Sequence, residues 1–514
     1  MTILYKAGFQ SKRAPVSYVA MPALSQQELE TKLWAAANCL RGPVDPSDFK
    51  AYVFPLLFFK WISDTWDWDR SQALAVYENN EELAALSENY RFVVPDGCHW
   101  SDLRKVSQNV GVALQTILDR LQQANPTKLA GIFGDVAWGN KERLPETALF
   151  CLIDNFDSLN LNASAVPHDM LGNAYEYLLK QFADVSGKKA GEFFTPRAVV
   201  RLITKILDPQ PGESICDPAC GSAGMLVEAV QEVREAGGDP RTLRLYGQEV
   251  NLTTAAIARM NLFLHGLEDF SIVRGDTLRD PRFRTPTGLE RFDCVIANPP
   301  FSLKNWGADV WASDPWNRAR FGVPPAGTAD LAWVQHMVAS MAPRTGRVAV
   351  VMPHGVLFRG GAEASIRRGL VEAGLLEAVI GLPGNLFYST SIPACILVFR
   401  STMAKDRKDH VLFLDGSAQS TKGRNQNSMS NSDVDAILDA YQLGGASELI
   451  SRRLVPVSEI KLNSWDLNIG RYLRVATQAE VDVPAALAEL ATAQTELREA
   501  EARLAQQLKA AGYE

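Results

Sequence analysis

The 514-residue sequence lacks the features of a membrane protein or a secreted protein. No apolar run approaches the roughly 20 residues of a membrane-spanning helix, and the first residues contain no apolar segment of the kind that opens a secretory signal. The cysteines number seven, an odd count scattered along the chain, which fits reduced thiols better than a disulfide framework. These absences predict a cytoplasmic protein with no membrane partner.

Positive charge is also scarce. The chain has 52 Lys and Arg against 59 Asp and Glu, which gives a formal net charge of −7 and a pI of about 5.6. Affinity for nucleic acid depends on clustered lysines and arginines that neutralise phosphates. We therefore expect that, if the chain acts on DNA, a partner supplies base reading and much of the grip.

One strand, turn and helix pattern stands in the middle of the chain. Residues 213–217 (ESICD) predict a buried strand that ends on Asp217, and a turn of small residues follows. Gly221 and Gly224 allow a ligand to approach the backbone, a helix from about Ser222 directs its N–H groups at an anionic group, and Asp217 can accept a cationic amine. A zwitterionic methionine fits this pair. The G-x-G-x-x-G and phosphate-loop patterns are absent, which argues against a dinucleotide or a triphosphate.

Two further strands end in acids. Residues 243–249 end on Glu249, suited to two ribose hydroxyls, and residues 270–276 end on Asp276, suited to an adenine amino group. Ligands of open α/β sheets bind where strand carboxyl ends meet. A single acid in this position is more often a helix cap, but a series of strand ends is hard to explain by caps alone. No metal site is predicted, since Cys216 and Cys220 have no second pair to complete one.

The tetrapeptide Asn298-Pro299-Pro300-Phe301 follows an apolar strand. An Asn oxygen and the carbonyl of a φ-locked Pro can accept both hydrogens of a planar amino group, while the aromatic ring stacks on the base that carries it. Holding both N–H bonds favours a pyramidal nitrogen whose lone pair faces an electrophile. The alternative is a turn that merely ends a strand.

Together these residues resemble the S-adenosylmethionine-dependent amino methyltransferases of DNA, and Asn298 to Phe301 match the form typical of N6-adenine enzymes. In that family an aromatic-Thr-Pro element precedes both motifs and walls the methionine end of the cofactor. Thr-Pro can also simply open a helix, with Thr195 as cap and Pro196 in the first position. The resemblance implies that S-adenosyl-L-methionine is the cofactor and that its site includes the following residues of this chain: Glu192, Phe193, Phe194, Thr195, Pro196, Arg197, Asp217, Gly221, Ser222, Ala223, Gly224, Glu249 and Asp276.

Outside this core the chain is similar to the modification subunit of type I restriction-modification systems. The similarity rests on residues 33–36, 40–50, 56–64, 346–361 and 382–387. It implies methyl transfer to N6 of a flipped adenine in double-stranded DNA. The implied partners are a DNA-specificity subunit and a second copy of this chain, with a restriction-translocase subunit as a further candidate. The alternatives are a stand-alone amino methyltransferase of DNA, RNA or protein glutamine, and a catalytically inert scaffold subunit.

The predicted organisation has four parts: a polar tail (1–26), a helical domain (27–166), a doubly wound Rossmann-like α/β methyltransferase domain (167–475) and a long C-terminal helix (476–514). In the last part, Leu487, Leu490, Leu497, Leu504 and Leu508 have heptad-compatible spacing. This favours a coiled-coil contact with a partner subunit over a helix folded back on its own catalytic core.

The loop 302–328 after the tetrapeptide is rich in tryptophan. Its cations Lys304, Arg318 and Arg320 are candidates for a local positive surface. Its tryptophans, Trp306, Trp311 and Trp316, either cover a flipped base or pack, and packing is the preferred interpretation.

Overall fold

The computed structural model describes residues 24–186, 195–387, 392–424, 426–442, 450–473 and 483–510. Most of the predicted polar tail therefore lies outside the described residues. The helices are α1 (Gln26–Asn38), α2 (Phe49–Val76), α3 (Glu81–Ala84), α4 (Trp100–Leu103), α5 (Val110–Ala124), α6 (Glu146–Asp157), α7 (His168–Ser186), α8 (Arg197–Leu207), α9 (Gly224–Glu235), α10 (Leu252–Leu264), α11 (Ala308–Trp311), α12 (Asp330–Ala339), α13 (Ala362–Glu372), α14 (Asn431–Tyr441), α15 (Val457–Leu462), α16 (Ile469–Tyr472) and α17 (Val483–Ala510). The strands are β1 (Ser214–Asp217), β2 (Arg244–Glu249), β3 (Phe270–Arg274), β4 (Arg284–Thr285), β5 (Gly288–Leu289), β6 (Cys294–Ala297), β7 (Arg347–Pro353), β8 (Leu376–Gly381), β9 (Ala394–Arg400), β10 (His410–Asp415) and β11 (Ser451–Pro456).

The amino-terminal part is helical, as predicted, and α2 is its centre. Residues 52–63 of α2 are all buried, which is the pattern of a helix surrounded by others rather than one with an exposed face. Its core continues into the α/β part, because Phe263 of α10 packs in the same hydrophobic cluster. The Tyr175 hydroxyl of α7 also donates to the Ile257 carbonyl at 3.1 Å. The helical part is therefore packed directly on the sheet domain.

The main sheet of the described residues has the order β11-β10-β8-β9-β7-β6-β1-β2-β3. Strands β3, β2, β1, β6 and β7 are parallel to one another, whereas β9 is antiparallel to both β7 and β8. Helices α8, α9 and α14 share one hydrophobic cluster with the sheet, and α12 and α13 share another. Helices therefore cover both faces of the sheet, which confirms the predicted doubly wound α/β core.

One prediction about the cysteines is wrong. Cys39, which follows α1, is disulfide-bonded to Cys151 of α6. The other cysteines, Cys98, Cys216, Cys220, Cys294 and Cys395, are free and buried. The expectation of reduced thiols rested on the odd count and on the scatter along the chain. Neither feature shows that α1 and α6, which are distant in sequence, pack against each other and bring Cys39 and Cys151 together.

The predicted C-terminal helix is present as α17. The described side chains from residue 491 to 504 are all exposed, and these include Leu497 and Leu504 of the heptad pattern. Among the described residues, none of the helices combines the length and the apolar character that crossing a membrane requires.

Candidate active site

Four strand ends meet at one edge of the sheet. Asp217 and Glu249 are the last residues of β1 and β2, Asp276 follows β3 by two residues, and Asn298 follows β6 directly. Because β3, β2, β1 and β6 are parallel neighbours, their carboxyl ends lie side by side. All four side chains line a single cavity of about 300 Å³. The sequence-predicted residues are thus brought together.

The turn between β1 and α9 supplies the floor of this cavity. Gly221 has a φ of +53° and Ala223 a φ of +64°, so the backbone twice enters the left-handed region. The helix begins at Gly224, with Ala223 as its N-cap, and not at Ser222 as predicted, because the turn uses two more residues before helical geometry starts. Gly221, Ser222 and Gly224 line the cavity, whereas Ala223 is fully buried behind it.

The cavity is lined by acidic side chains that are shielded from solvent. The Asp217 side chain is only 2% exposed, and burial, with Glu249 nearby, raises the pKa of Asp217 to about 8. Burial also raises the pKa of Glu249 from its ordinary value, although backbone N–H donors oppose the shift. Those donors include Gly221 N at 3.1 Å and Asn251 N at 2.8 Å. A buried carboxylate pair favours a cation, so this end of the cavity fits a cationic amine.

Asp276 connects the cavity to the loop after the Asn-Pro-Pro-Phe segment. One of its carboxylate oxygens accepts backbone hydrogen bonds from Leu278 and Arg279, at 3.0 and 3.1 Å. The Arg279 guanidinium lies 3.5 Å from the other oxygen and also donates to the Asn305 carbonyl. Asp276 is therefore held in place by a turn of its own chain, with an edge left facing the cavity.

Asn298 is oriented by the Thr-Pro element. Its amide nitrogen donates to the Thr195 hydroxyl at 3.0 Å, which leaves the amide oxygen as an acceptor. Pro300 lines the cavity beside it. Pro299 and Phe301 do not line the cavity: Pro299 is buried, and the half-buried ring of Phe301 meets the Phe387 ring edge to face at 6.1 Å.

The alternative role for Thr195 as a helix cap is wrong. The N-cap of α8 is Pro196, with no side-chain hydrogen bond, and Arg197 is the first helical residue. Thr195 and Arg197 line the cavity, and the Arg197 guanidinium donates to Glu176 at 2.9 Å and to Asn173 at 2.9 Å. The predicted cofactor residues Glu192, Phe193 and Phe194 lie outside the described residues.

Sequence reasoning missed some of the cavity wall. Glu228 lines it one helical turn after Gly224, and burial raises its pKa to about 7. The i, i+4 spacing from Gly224 could have identified it. Glu176 of α7 and Trp333 of α12 also line the cavity. No local pattern marks these two, since both come from helices distant in sequence.

The loop 302–328 corrects one prediction. Arg318 is only 2% exposed and pairs with Asp314 at 2.6 Å, while its guanidinium donates to the Thr277 and Leu278 carbonyls at 2.9 Å each. Arg318 cannot form part of a positive surface, because its guanidinium is buried and paired with these groups inside the fold. Lys304 and Arg320 are exposed. Trp306 and Trp311 are buried, so the packing interpretation is confirmed for both.

Family models match most of the chain. The model of the N-6 DNA methylases matches residues 166–481. The model of the HsdM N-terminal domain matches residues 29–156. The first range contains every strand of the sheet, and the second covers most of the helical part.

Individual relatives agree. The chain is 32% identical to the type I restriction enzyme MjaVII methylase subunit of Methanocaldococcus jannaschii, over 76% of this chain and 68% of that protein. It is 28% identical to the type I restriction enzyme MpnII methylase subunit of Mycoplasma pneumoniae, over 88% of this chain and 91% of that protein.

A solved structure gives the same result. The crystal structure of the type I restriction-modification methyltransferase subunit from Streptococcus thermophilus superposes with a TM-score of 0.77 at 32% identity, covering 87% of this chain and 99% of that one. The resemblance drawn from the sequence motifs is thereby confirmed. The chain belongs to the N-6 DNA methylase family, and within it to the methylase subunits of type I restriction enzymes.

Proposed function

We propose that this chain transfers the methyl group of S-adenosyl-L-methionine to N6 of an adenine flipped out of double-stranded DNA. The observation that carries the proposal is that Asn298 opens onto the same cavity as the three carboxylates Asp217, Glu249 and Asp276. A donor held by these acids and an amine held by Asn298 would therefore share one enclosed space.

The cavity fits the cofactor by charge and by shape. Asp217 would pair with the ammonium of the methionine moiety, Glu249 would accept from the two ribose hydroxyls, and Asp276 would accept from the adenine amino group. The turn Gly221, Ser222, Ala223 and Gly224 would allow close approach of the backbone. When bound, the cofactor supplies an electrophilic methyl group on a sulfonium.

The methionine end of the cofactor would be bounded by the Thr195, Pro196 and Arg197 segment. Thr195 and Arg197 are suited to this because both line the cavity. The preceding residues Glu192, Phe193 and Phe194 are proposed to complete this wall, in line with the family resemblance.

The chain's own residues act mainly by positioning the amine. The Asn298 amide oxygen and the Pro299 carbonyl would accept its two hydrogens, which favours a pyramidal nitrogen with its lone pair facing the methyl group. Pro300 would restrict the backbone beside the carbonyl, and Phe301 would stack on the base. The proton can leave after the methyl group has transferred, so no strong base is required.

Flipping follows from the position of the target, because the exocyclic amine of adenine is paired inside the duplex. A chain with a net charge of −7 is poorly equipped to hold DNA on its own. We therefore infer that a specificity subunit supplies base reading, in a cytoplasmic complex with a second methylase subunit. A restriction-translocase subunit is a further candidate partner. The exposed cations Lys304 and Arg320 would provide local phosphate contacts.

The parts of the chain divide this work. We assign the methyl transfer to residues 167–475 and propose that the helical domain 27–166 and the helix within 476–514 contact other subunits, with residues 1–26 as a tail. The exposed leucines Leu497 and Leu504 support the last assignment, since no described residue of this chain covers them.

The test uses the complex of this chain with its specificity subunit and cofactor carrying a labelled methyl group. Unmodified genomic DNA, RNA and protein are offered as acceptors, and the products are digested and identified by mass spectrometry. The proposal predicts label on N6-methyladenine from DNA alone. Label on RNA or on protein glutamine would support a different acceptor, and an absence of saturable cofactor binding would indicate an inert scaffold.

A further inference from the structure

The backbone that follows the Asn-Pro-Pro-Phe segment is held in an unusual conformation. Ser302, directly after Phe301, has a φ of +53°, in the left-handed region that residues with a Cβ adopt rarely. Its N–H donates to a carboxylate oxygen of Asp330 at 2.7 Å. Asp330 is only 1% exposed and is the first residue of α12. A strained position is thus fixed by a buried acceptor from a distant part of the chain.

A second hydrogen bond fastens the same stretch. The N–H of Ala329, the N-cap of α12, donates to the Leu303 carbonyl at 3.0 Å. The start of α12 therefore holds both residues that follow Phe301. Trp333, one turn further along α12, lines the cavity. The position of this helix thus fixes the loop relative to the cavity wall.

Asp330 is itself anchored by charge. Its second carboxylate oxygen lies 2.5 Å from the Arg359 guanidinium, which also pairs with Glu363 of α13 at 2.7 Å. Arg367 of α13 donates to the Arg359 carbonyl at 2.6 Å. Glu363 and Arg367 are both buried. The anchor is a network of buried Asp330, Glu363 and Arg367 around the partly exposed Arg359, and it joins the loop to α12 and α13.

We propose that Asp330 is a positioning residue for the methyl transfer: its carboxylate holds Ser302 in the left-handed conformation and so fixes the Pro299 carbonyl and the Phe301 ring relative to Asn298. This inference rests on the proposed function. Asp330 does not line the cavity, so it acts through the loop and not by touching the substrate. A displacement of about 1 Å at a reacting group is enough to cost about 10²-fold in rate.

The experiment measures kcat and KM for unmodified DNA and the Kd for cofactor, in the complex with the specificity subunit. For Asp330→Ala we expect kcat to fall about 10²-fold, with the cofactor Kd within about threefold of the wild type. Asp330→Asn keeps an oxygen that can accept from the Ser302 N–H, so its kcat should be at least about tenfold higher than that of Asp330→Ala. A purely structural role would not separate kcat from cofactor affinity in this way.

Two further variants make the result decisive. Ser302→Pro changes an exposed loop residue and leaves α12 unaltered. Proline has no N–H and cannot adopt a positive φ, so this variant should reproduce the loss of kcat. Glu377→Gln is the matched control, because Glu377 is a buried carboxylate paired with Arg400 and Arg407, at 2.5 and 2.9 Å. Glu377 lies at the start of β8, whereas the cavity lies at the carboxyl ends of the parallel strands. Glu377→Gln should therefore leave kcat unchanged.

The inference is overturned if the Asp330→Ala complex folds and its kcat is within about threefold of the wild type. If Asp330→Ala does not fold, the inference is overturned by a Ser302→Pro complex whose kcat is within about threefold of the wild type. Asn298→Ala is assayed in parallel. If that variant is inactive while Asp330→Ala is active, only the role of Asp330 is lost. If Asn298→Ala is active, the proposed function itself fails.

Discussion

The amide nitrogen of Asn298 donates a hydrogen bond to the hydroxyl of Thr195 at 3.0 Å. This contact joins two segments 103 residues apart in sequence. It explains why a Thr-Pro element should accompany an Asn-Pro-Pro-Phe segment: the hydroxyl occupies the amide nitrogen and leaves the amide oxygen for the target amine.

Thr195→Val should therefore lower kcat for methyl transfer by about tenfold, or about 1.4 kcal/mol of activation free energy. Valine preserves the volume of the side chain and removes the acceptor, so Asn298 loses the bond that orients it. Thr195→Ser keeps a hydroxyl and should stay within about twofold of the wild type. Steady-state kinetics with the assembled complex measures both. Equal rates for the valine and serine variants would show that the contact does not orient Asn298.

Cofactor affinity should depend on pH through Asp217. Burial raises its pKa from the ordinary 3.8 to about 8 in the free protein, so the carboxyl is largely protonated at neutral pH. A cationic amine requires the ionised form, and binding must therefore release a proton. Affinity should fall as the pH drops below about 8, by up to about tenfold per pH unit. Isothermal titration calorimetry in buffers of different ionisation enthalpy measures both affinity and proton release.

The same pKa shift has the opposite consequence for stability. The native state holds a proton on Asp217 between about pH 4 and 8 that the unfolded chain has lost, so this group's contribution to stability is present at low pH and lost as the pH rises toward 8. Asp217→Asn cannot ionise, and without cofactor it should melt at a higher temperature than the wild type at pH 8. It should also bind cofactor weakly, with little pH dependence. A pH-dependent affinity in this variant would assign the titration to another group.

Arg318 and Lys304 should behave differently although both are cations of the same loop. Arg318→Ala leaves Asp314 buried and unpaired, so it should lower the free energy of unfolding by about 3 kcal/mol. Lys304→Ala should leave stability unchanged and weaken DNA binding by the complex, with a smaller dependence on salt concentration. Chemical denaturation and DNA titration at two salt concentrations separate the effects. If the Arg318→Ala variant were as stable as the wild type but bound DNA weakly, Arg318 would belong to the DNA-binding surface and not to the folded core.

The C-terminal helix should bind a partner through its leucine stripe. Leu497 and Leu504 are 59% and 57% exposed, so replacing both with Asp should leave the melting temperature of the isolated chain unchanged. Affinity for the specificity subunit should fall at least about tenfold, because a charge at a coiled-coil seam position opposes association. Gln506→Asp is the control, since the heptad pattern puts it on the opposite face. Co-purification of the double variant at wild-type yield would contradict the assignment.

Much of the site could be predicted from the sequence because its residues stand at strand ends. Asp217, Glu249, Asp276 and Asn298 each stand at or just after the end of a segment with a strand pattern, and parallel strands bring such ends to one edge of the sheet. Glu176 and Trp333 could not be predicted, since each reaches the cavity from a helix whose placement depends on tertiary packing.

The fold, like the site, could be predicted only in part from the sequence. The strands of the parallel half of the sheet have clear sequence patterns, whereas β8 and β11 were not predicted. In β8 the charged residue Glu377 interrupts a short apolar run, and such a run fits a buried helix segment as well as a strand. β11 contains two arginines. Arg318 shows a further reason for error. A charged side chain in a polar loop is normally exposed. The burial of Arg318 is explained by its ion pair with Asp314 and by its hydrogen bonds to the carbonyls of residues 277 and 278.

The most direct test of the account is a paired measurement on Asn298→Ala in the assembled complex. Cofactor binding is titrated, and incorporation of N6-methyladenine into unmodified DNA is followed in the same preparation. The account predicts a cofactor Kd within a few-fold of the wild type and a methylation rate lower by about 10³-fold or more, since the principal acceptor for the amine is gone. Methylation at close to the wild-type rate by this variant would contradict it.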